Sequence, residues 1–136
     1  MGDLAAWEPL IGAWASTGRT VDAVEIEGTD GYEWLPGRRF VVHRVDVRVG
    51  GEQVDALEVI GEHDGDAVLA RSFGHDGTTA VMRATVDGAG EWTFAGPTER
   101  ATLVAAPDSA TMSARWERLR DGAWEHWIDM EFHRTA

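Results

Sequence analysis

Three residues with acid/base or ion-pairing chemistry come together when the tight turns of the sequence are used to align neighbouring strands. If Gly50-Gly51 forms a two-residue hairpin turn, His43 lies directly opposite Glu58. A second two-residue turn, at Asp64-Gly65, places Glu58 opposite Arg71. Directly opposed side chains on one sheet face have Cβ atoms about 4.5–5.5 Å apart, close enough for these long groups to bond. The alignment predicts a polar row of His43, Glu58 and Arg71 across three strands.

The face that carries this polar row is otherwise apolar, which places it inside the protein. Valines alternate with polar residues through 41–49 and share the face of His43. In an apolar interior Arg71 would keep Glu58 ionised, and Glu58 would orient and charge His43. Such a row can anchor a ligand, act as a general acid/base, or form a purely structural ion network. We expect anchoring, with catalysis by His43 and Glu58 in an isomerisation, cyclisation or hydrolysis as the alternative.

Methionine and tryptophan side chains are candidates for the apolar lining around the polar row. A two-residue turn at Asp76-Gly77 places Met82 beside Arg71. Aromatic faces grip flat apolar molecules, so four of the seven tryptophans are candidate lining residues: Trp34, Trp92, Trp116 and Trp127. The alternative role for these four is plain core packing. The predicted ligand is therefore a small apolar or amphipathic molecule.

The elements that must position these residues are short strands. Turn residues recur every eight to twelve residues between runs rich in Val, Thr, Phe and Trp, which is typical of an antiparallel meander. After a short helical turn within 4–10 we predict about ten strands: 11–19, 21–33, 38–49, 52–62, 66–74, 78–87, 90–96, 99–106, 110–119 and 122–134. Ten sequential strands usually close into a barrel that can hold a small ligand. We therefore predict one all-β domain, 1–136, with an up-and-down antiparallel barrel.

Several short segments resemble a known family. The opening Leu10-Ile11-Gly12-Ala13-Trp14, followed by Gly18, is similar to the Gly-x-Trp signature on the first strand of calycin barrels. Further matching segments are 31–37, 40–46, 57–61, 112–117 and 124–129. Together they resemble an uncharacterised bacterial family of small calycin-like barrels, distantly similar to nitrobindins and fatty-acid-binding proteins. The resemblance covers nearly the whole chain and implies a ten-stranded, lipocalin-like barrel with an internal cavity and with Trp14 plugging one end.

The comparison with nitrobindins bears on haem. Those proteins bind haem through a histidine on the last strand, in the pattern His-Leu-x-Ala-x-Leu-x-Arg. Aligned on Arg134, this pattern puts Trp127 at the ligand position, with His126 one residue away on the opposite face. Haem binding is therefore disfavoured, and we expect no cofactor. The same alignment would point Trp127 inward, whereas apolar alternation favours Ile128, Met130 and Phe132 on the inside, and the sequence leaves both orientations open.

Composition excludes several functions. The chain has no Cys and no Lys, which rules out thiolate and Schiff-base chemistry, and it has no His-x-His pair, so we expect no metal site. A net charge of −12 disfavours nucleic acid and anionic membranes as partners. The first ten residues contain no basic segment followed by a long apolar run, so we expect a soluble, cytoplasmic protein. Outward Phe40, Val42, Leu57 and Val59 would suit a homodimer interface.

Overall fold

Alternating apolar and polar residues form ten antiparallel strands in the computed structural model, which describes residues 4–136. A 3₁₀ helix, Ala5–Leu10, precedes them. The strands are β1 Gly12–Thr20, β2 Glu25–Trp34, β3 Val41–Val49, β4 Glu52–Asp64, β5 Ala67–Gly74, β6 Thr79–Val86, β7 Glu91–Ala95, β8 Glu99–Ala105, β9 Thr111–Arg120 and β10 Ala123–Arg134. Each lies within about two residues of a predicted strand, apart from β2 and β3, which begin four and three residues later than predicted, at Glu25 and Val41. Residues 1–3, which belong to the predicted domain, lie outside the part of the chain that the structure describes.

The ten strands close into a barrel in which each strand pairs with its neighbours in sequence and β10 pairs with β1. Closure satisfies the backbone N–H and C=O groups that an open sheet would leave unpaired at its edges. The predicted all-β, ten-stranded antiparallel barrel with a short helical turn at its start is confirmed. Within residues 4–136, no helix has the length and apolar character that a bilayer crossing requires.

The β3–β4 hairpin has the register that its glycine pair predicts. Val49 pairs with Glu52 across Gly50-Gly51, and His43 pairs with Glu58. Both of these glycines have positive φ, 60° and 88°, which suits the tight turns that match strand twist. His43 and Glu58 therefore lie side by side on one face, as expected.

The β4–β5 hairpin departs from the predicted register, and Gly61 is the reason. The turn falls one residue later than predicted, so that Asp64 pairs with Ala67, and Gly61 then forms a β-bulge between Ile60 and Glu62. Gly61 has a φ of 145°, and a Cβ there would lie 2.6 Å from the Arg39 carbonyl oxygen, so only glycine fits. One extra residue in a strand exchanges the faces of every residue beyond it.

The β5–β6 register is also one residue away from the prediction. Met82 pairs with Ala70, not with Arg71, because three residues rather than two connect the strands between Gly74 and Thr78. Met82 nevertheless points into the barrel, since its new partner Ala70 is buried on the inner face. The sequence thus predicted the interior position of Met82 correctly, but it predicted Arg71 rather than Ala70 as the neighbour of Met82.

One end of the barrel, here called the closed end, is sealed by the 3₁₀ helix and by tryptophans. Trp7 of the helix packs edge-on against Trp92 and Phe94, with ring centroids 6.3 and 5.8 Å away. Trp14 of β1 is completely buried and donates its indole N–H to the Leu10 carbonyl at 2.9 Å. The expectation that Trp14 plugs one end is confirmed.

Arg134 of β10 connects several segments at the closed end. Its guanidinium lies 4.2 Å from the centre of the Trp14 ring. It donates hydrogen bonds to the carbonyl oxygens of Pro9, Ile11 and Ser109 at 2.7, 2.6 and 2.8 Å. These bonds connect the last strand to the end of the 3₁₀ helix, to the residue before β1 and to the loop between β8 and β9, which are far apart in sequence.

Candidate functional site

The opposite half of the barrel contains a cavity of about 300 Å³. We call it the interior cavity. Its walls are mostly aliphatic and aromatic side chains from β2–β4 and β6–β10: Ile26, Val45, Val47, Val49, Val54, Met82, Phe94, Ala101, Leu103, Ala114, Trp116, Ile128, Met130 and Phe132. Phe94 also contacts Trp7, so the closed end forms the floor of the cavity. Its volume is at the lower end of the roughly 300–1,000 Å³ typical of small-molecule sites.

The polar part of the cavity is a cluster of two carboxylates and one imidazole, here called the carboxylate–imidazole cluster. His43 Nε2 lies 2.7 Å from Asp30 Oδ1, and His43 Nδ1 lies 2.9 Å from Glu58 Oε1. All three side chains are largely buried, with 13%, 8% and 16% of the His43, Asp30 and Glu58 side chains exposed. The barrel thus brings together His43 and Glu58, as predicted, with Asp30 as a third member.

His43 carries a positive charge in this arrangement. A neutral imidazole has one N–H, but both ring nitrogens of His43 face carboxylate oxygens, which the doubly protonated ring satisfies. Burial opposes the charged form, but hydrogen bonds to Asp30 and Glu58 and their negative charges outweigh burial and raise the pKa of His43 to about 9. The imidazolium therefore persists at neutral pH, and the cluster has a formal charge of −1.

Two further buried side chains hold the cluster in position. The Tyr32 ring stacks on the His43 ring, with centroids 4.0 Å apart and an interplanar angle of 7°. Burial and the nearby charges of Asp30 and Glu58 raise the pKa of the Tyr32 phenol well above its usual range. Ser16 donates its hydroxyl hydrogen to Asp30 Oδ2 at 2.5 Å. Both oxygens of Asp30 are therefore engaged by the protein.

Glu58 differs from Asp30 in having an oxygen to spare. Its Oε1 faces His43, whereas its Oε2 has no hydrogen-bond partner among residues 4–136. Oε2 is also not among the fully buried side-chain atoms of that range that lack a partner. Glu58 lines the cavity, so this oxygen is an acceptor without a partner on a residue of the cavity wall. The site thus offers an apolar chamber with a hydrogen-bond acceptor in its wall.

The predicted polar row is wrong at Arg71. Arg71 pairs with Val59 rather than with Glu58, and it lies on the outer face, where its side chain is 46% exposed and bonds to Glu62 at 2.9 Å. Ser72 takes the predicted place opposite Glu58. The bulge at Gly61 is the physical cause, because it exchanges the faces of the paired residues. No arginine is among the described residues that line the cavity.

Of the aromatic candidates, only some line the cavity. Trp116 lines the cavity, as Met82 does. Trp92 is buried against Trp7 in the closed end, and Trp34 packs beside the 3₁₀ helix, with its indole N–H 3.3 Å from Glu8 Oε1 and the Arg38 guanidinium over its ring. Neither is part of the cavity wall, so the expectation that they line it is wrong.

The orientation of the last strand, open from sequence, follows its apolar alternation. Ile128, Met130 and Phe132 line the cavity. Trp127 is not among the described residues that line the cavity, so its predicted place in the lining is wrong. The Arg118 guanidinium lies 5.5 Å from the centre of its ring. A register shift between His126 and Ile128 accompanies this arrangement.

Sequence reasoning missed Asp30, Tyr32 and Ser16. A signal for the first two was present, because Asp30 and Tyr32 share strand parity with Ile26, the apolar residue that marks the inner face of β2. They went unnoticed because β2 and β3 are joined by a longer loop, 35–40, which sets no register by itself.

Metal and haem binding find little support in these side chains. Within the described 4–136, no three His, Asp or Glu residues are grouped as metal ligands. Asp30 and Glu58 face different nitrogens of His43 rather than a common point. Nitrobindin-like haem binding needs a histidine nitrogen that is free to bind iron, but both His43 nitrogens are engaged, and no other described histidine lines the cavity. The residues present do not fit haem ligation by histidine.

Comparisons with known proteins identify the fold and no family. No protein-family model matches the chain, and no curated protein matches it in sequence. Among solved structures, a de novo designed fluorescence-activating β-barrel is similar, with a TM-score of 0.55, 17% identity, and coverage of 99% of this chain and 100% of that chain. A redesigned barrel, mFAP1, bound to DFHBI, reaches a TM-score of 0.48 at 12% identity, with coverage of 95% and 98%. At these identities the similarity concerns the fold.

Proposed function

We propose that this protein binds a small, largely apolar molecule in the interior cavity, with the carboxylate–imidazole cluster fixing the polar end of the ligand. The observation that carries the proposal is the combination of a cavity of about 300 Å³ with a single polar cluster in an apolar wall. A barrel that served only as a scaffold would gain stability by filling this space, since empty apolar volume costs free energy.

Binding explains the cluster better than acid/base catalysis does. Both ring nitrogens of His43 are held by carboxylates, so the imidazole has no free lone pair with which to take a proton from a substrate. Its role in the proposal is to hold Glu58 and Asp30 in place and to neutralise part of their charge. Glu58 then presents Oε2 to the ligand.

Within the barrel folds, we assign the chain to the calycin-like type. The segment Gly12-Ala13-Trp14 begins β1, and Trp14 seals the closed end beneath the Arg134 side chain of the last strand. The sealed end lies beside the 3₁₀ helix and the end of β10, and the cavity lies at the other end, as expected of a barrel that receives its ligand through one mouth.

A pair of matched variants tests the proposal. Val54 lines the cavity, whereas Val81 lies on the outer face of β6. With 3-phenylpropan-1-ol as a neutral probe in isothermal titration calorimetry, we expect one molecule to bind the unchanged protein. Val54→Trp should weaken binding at least about tenfold by filling the cavity, and Val81→Trp should leave it unchanged. Absence of binding to the unchanged protein, or equal binding by the two variants, would contradict the proposal.

A further inference from the structure

The charges around the interior cavity indicate which polar group a ligand should carry. The cavity wall contains two carboxylates, Asp30 and Glu58, and one imidazolium, His43. Arg71, the cation that sequence alignment placed beside them, lies on the outer face and bonds to Glu62. The polar end of the cavity is therefore net negative, within a protein whose total net charge is −12.

The imidazolium does not offer a place for an anion. Both N–H groups of His43 already point at carboxylate oxygens, at 2.7 and 2.9 Å, and the Tyr32 ring covers one face of the imidazole. A carboxylate entering the cavity would meet Glu58 and Asp30 without a free donor from His43. Burying such a like-charged group next to Glu58 is unfavourable in an apolar interior.

A hydrogen-bond donor on a ligand, in contrast, has an available acceptor in Glu58. Glu58 lines the cavity, and its Oε2 has no hydrogen-bond partner in the described part of the chain. A charge-assisted hydrogen bond from an ammonium group to a carboxylate is stronger than a bond between neutral groups. The ammonium would also balance the formal charge of −1 left by the cluster, so that ligand and cluster together become neutral.

We propose that the interior cavity selects small apolar amines, bound as ammonium ions through Glu58 Oε2, over carboxylates of the same size. This inference rests on the proposed function, because it names the ligand class of the same site. Neutral O–H donors are the second-best ligands, since they can donate to Oε2 but add no charge. The volume of about 300 Å³ limits the apolar part to roughly one aromatic ring with a short chain.

The test compares three probes with one carbon skeleton: 3-phenylpropylamine, 3-phenylpropan-1-ol and 3-phenylpropanoate, titrated calorimetrically at about pH 7. We expect the amine to bind at least about tenfold more tightly than the carboxylate, with the alcohol between them. Equal or tighter binding of the carboxylate would overturn the proposed selectivity and leave cavity binding intact. If none of the three binds, the proposed function itself is wrong, and the ligand class is wrong with it.

A matched pair of substitutions on β4 locates the selectivity. Glu58→Gln keeps an oxygen that can accept from His43 Nδ1 but removes the negative charge, and Glu62→Gln makes the same chemical change on the outer wall. We expect Glu58→Gln to weaken amine binding about tenfold and alcohol binding by less than about threefold, and Glu62→Gln to change neither. Amine binding that survives Glu58→Gln, or falls equally in Glu62→Gln, would overturn the role of Glu58. The probe series on the unchanged protein decides selectivity even if the Glu58 variant does not fold.

Discussion

The two ends of the barrel are built from similar residues but do opposite things with them. At the closed end, Trp7, Leu10 and Trp14 are buried almost completely. At the other end, Val49, Val54 and Trp116 are only partly buried because their inner surfaces border the interior cavity. One end is thus closely buried, whereas the other keeps a free volume, which the proposed function assigns to a ligand.

The polar groups of the two ends differ in the same way. At the closed end the Arg134 guanidinium donates hydrogen bonds to the carbonyl oxygens of Pro9, Ile11 and Ser109. In the cavity Glu58 keeps one oxygen without a partner in residues 4–136. A stabilising polar group is one whose bonds are complete, whereas a binding group must keep a bond for the ligand. Substitutions at each end should therefore separate stability from binding.

The largest effect is expected at the closed end, from Trp14→Ala. The side chain is fully buried and loses its packing, its bond to the Leu10 carbonyl and its contact with Arg134. The free energy of unfolding in urea should fall by about 3–5 kcal/mol. Trp127→Ala removes a tryptophan that is only partly buried, so it is the matched control and should cost clearly less, about 1 kcal/mol. Similar losses in the two variants would contradict the assignment of the closed end as the main source of stability.

The next effect concerns pH and the carboxylate–imidazole cluster. The pKa of His43 is raised from 6.5 to about 9 in the folded protein, so its contribution to stability is complete below about pH 6.5. It is lost as the pH rises from about 6.5 to 9, because the unfolded chain releases the proton first. A shift of this size corresponds to a decline of about 3 kcal/mol in the free energy of unfolding.

The control for this pH dependence is His43→Gln, measured by urea unfolding at about pH 6 and 9.5. The other histidines remain in both proteins, so the difference between the two pH responses isolates His43. The variant should be less stable than the unchanged protein at the lower pH and should lack the decline. An equal decline in both would show that other groups cause it.

Trp116→Ala should give a smaller loss of stability but a clear loss of binding. The side chain already borders empty space, so its removal sacrifices fewer contacts than removal of Trp14, and we expect about 1–2 kcal/mol in unfolding free energy. The apolar wall for the ligand is reduced, and the affinity for 3-phenylpropan-1-ol should fall about tenfold in calorimetry. If binding is unchanged while stability falls as far as in Trp14→Ala, Trp116 is a core residue and not part of a binding wall.

The smallest effect is expected for Arg71→Gln. The side chain is about half exposed on the outer wall and pairs with Glu62. Exposed ion pairs of this kind contribute between about 0 and 1 kcal/mol. Stability should therefore change by less than about 1 kcal/mol, and calorimetric affinity for all three probes should be unchanged. Loss of ligand binding in this variant would mean that Arg71 belongs to the binding site, contrary to its position on the outer face.

The β3–β4 and β4–β5 hairpins differ in how well the sequence predicts which residues pair across them. The pairing of His43 with Glu58 follows from Gly50-Gly51, because a two-residue turn fixes the register of both strands. The position of Arg71 could not be predicted in this way, because Gly61 adds a residue to β4 and the turn falls one position later. A glycine within a strand suggests a bulge but does not require one.

The rest of the site was hidden for a different reason. Asp30 reaches His43 from β2, and its partner strand is connected by a loop too long to set the register. The closed barrel, in contrast, was predictable throughout, since alternation and turn residues recur along the whole chain and closure follows from the number of strands. Local patterns thus determine the scaffold, whereas the identity of the polar cluster depends on the pairing of particular strands.

The methionine methyl groups provide the most direct test of binding in the interior cavity. Met82 and Met130 line the cavity, whereas Met112 is buried in the core and is not part of the lining. In protein labelled with ¹³C at the methionine methyls, 3-phenylpropylamine should shift the Met82 and Met130 signals along one saturable curve and leave Met112 in place. Methyl signals that stay unchanged up to about millimolar probe, or a shift confined to Met112, would contradict binding in the cavity.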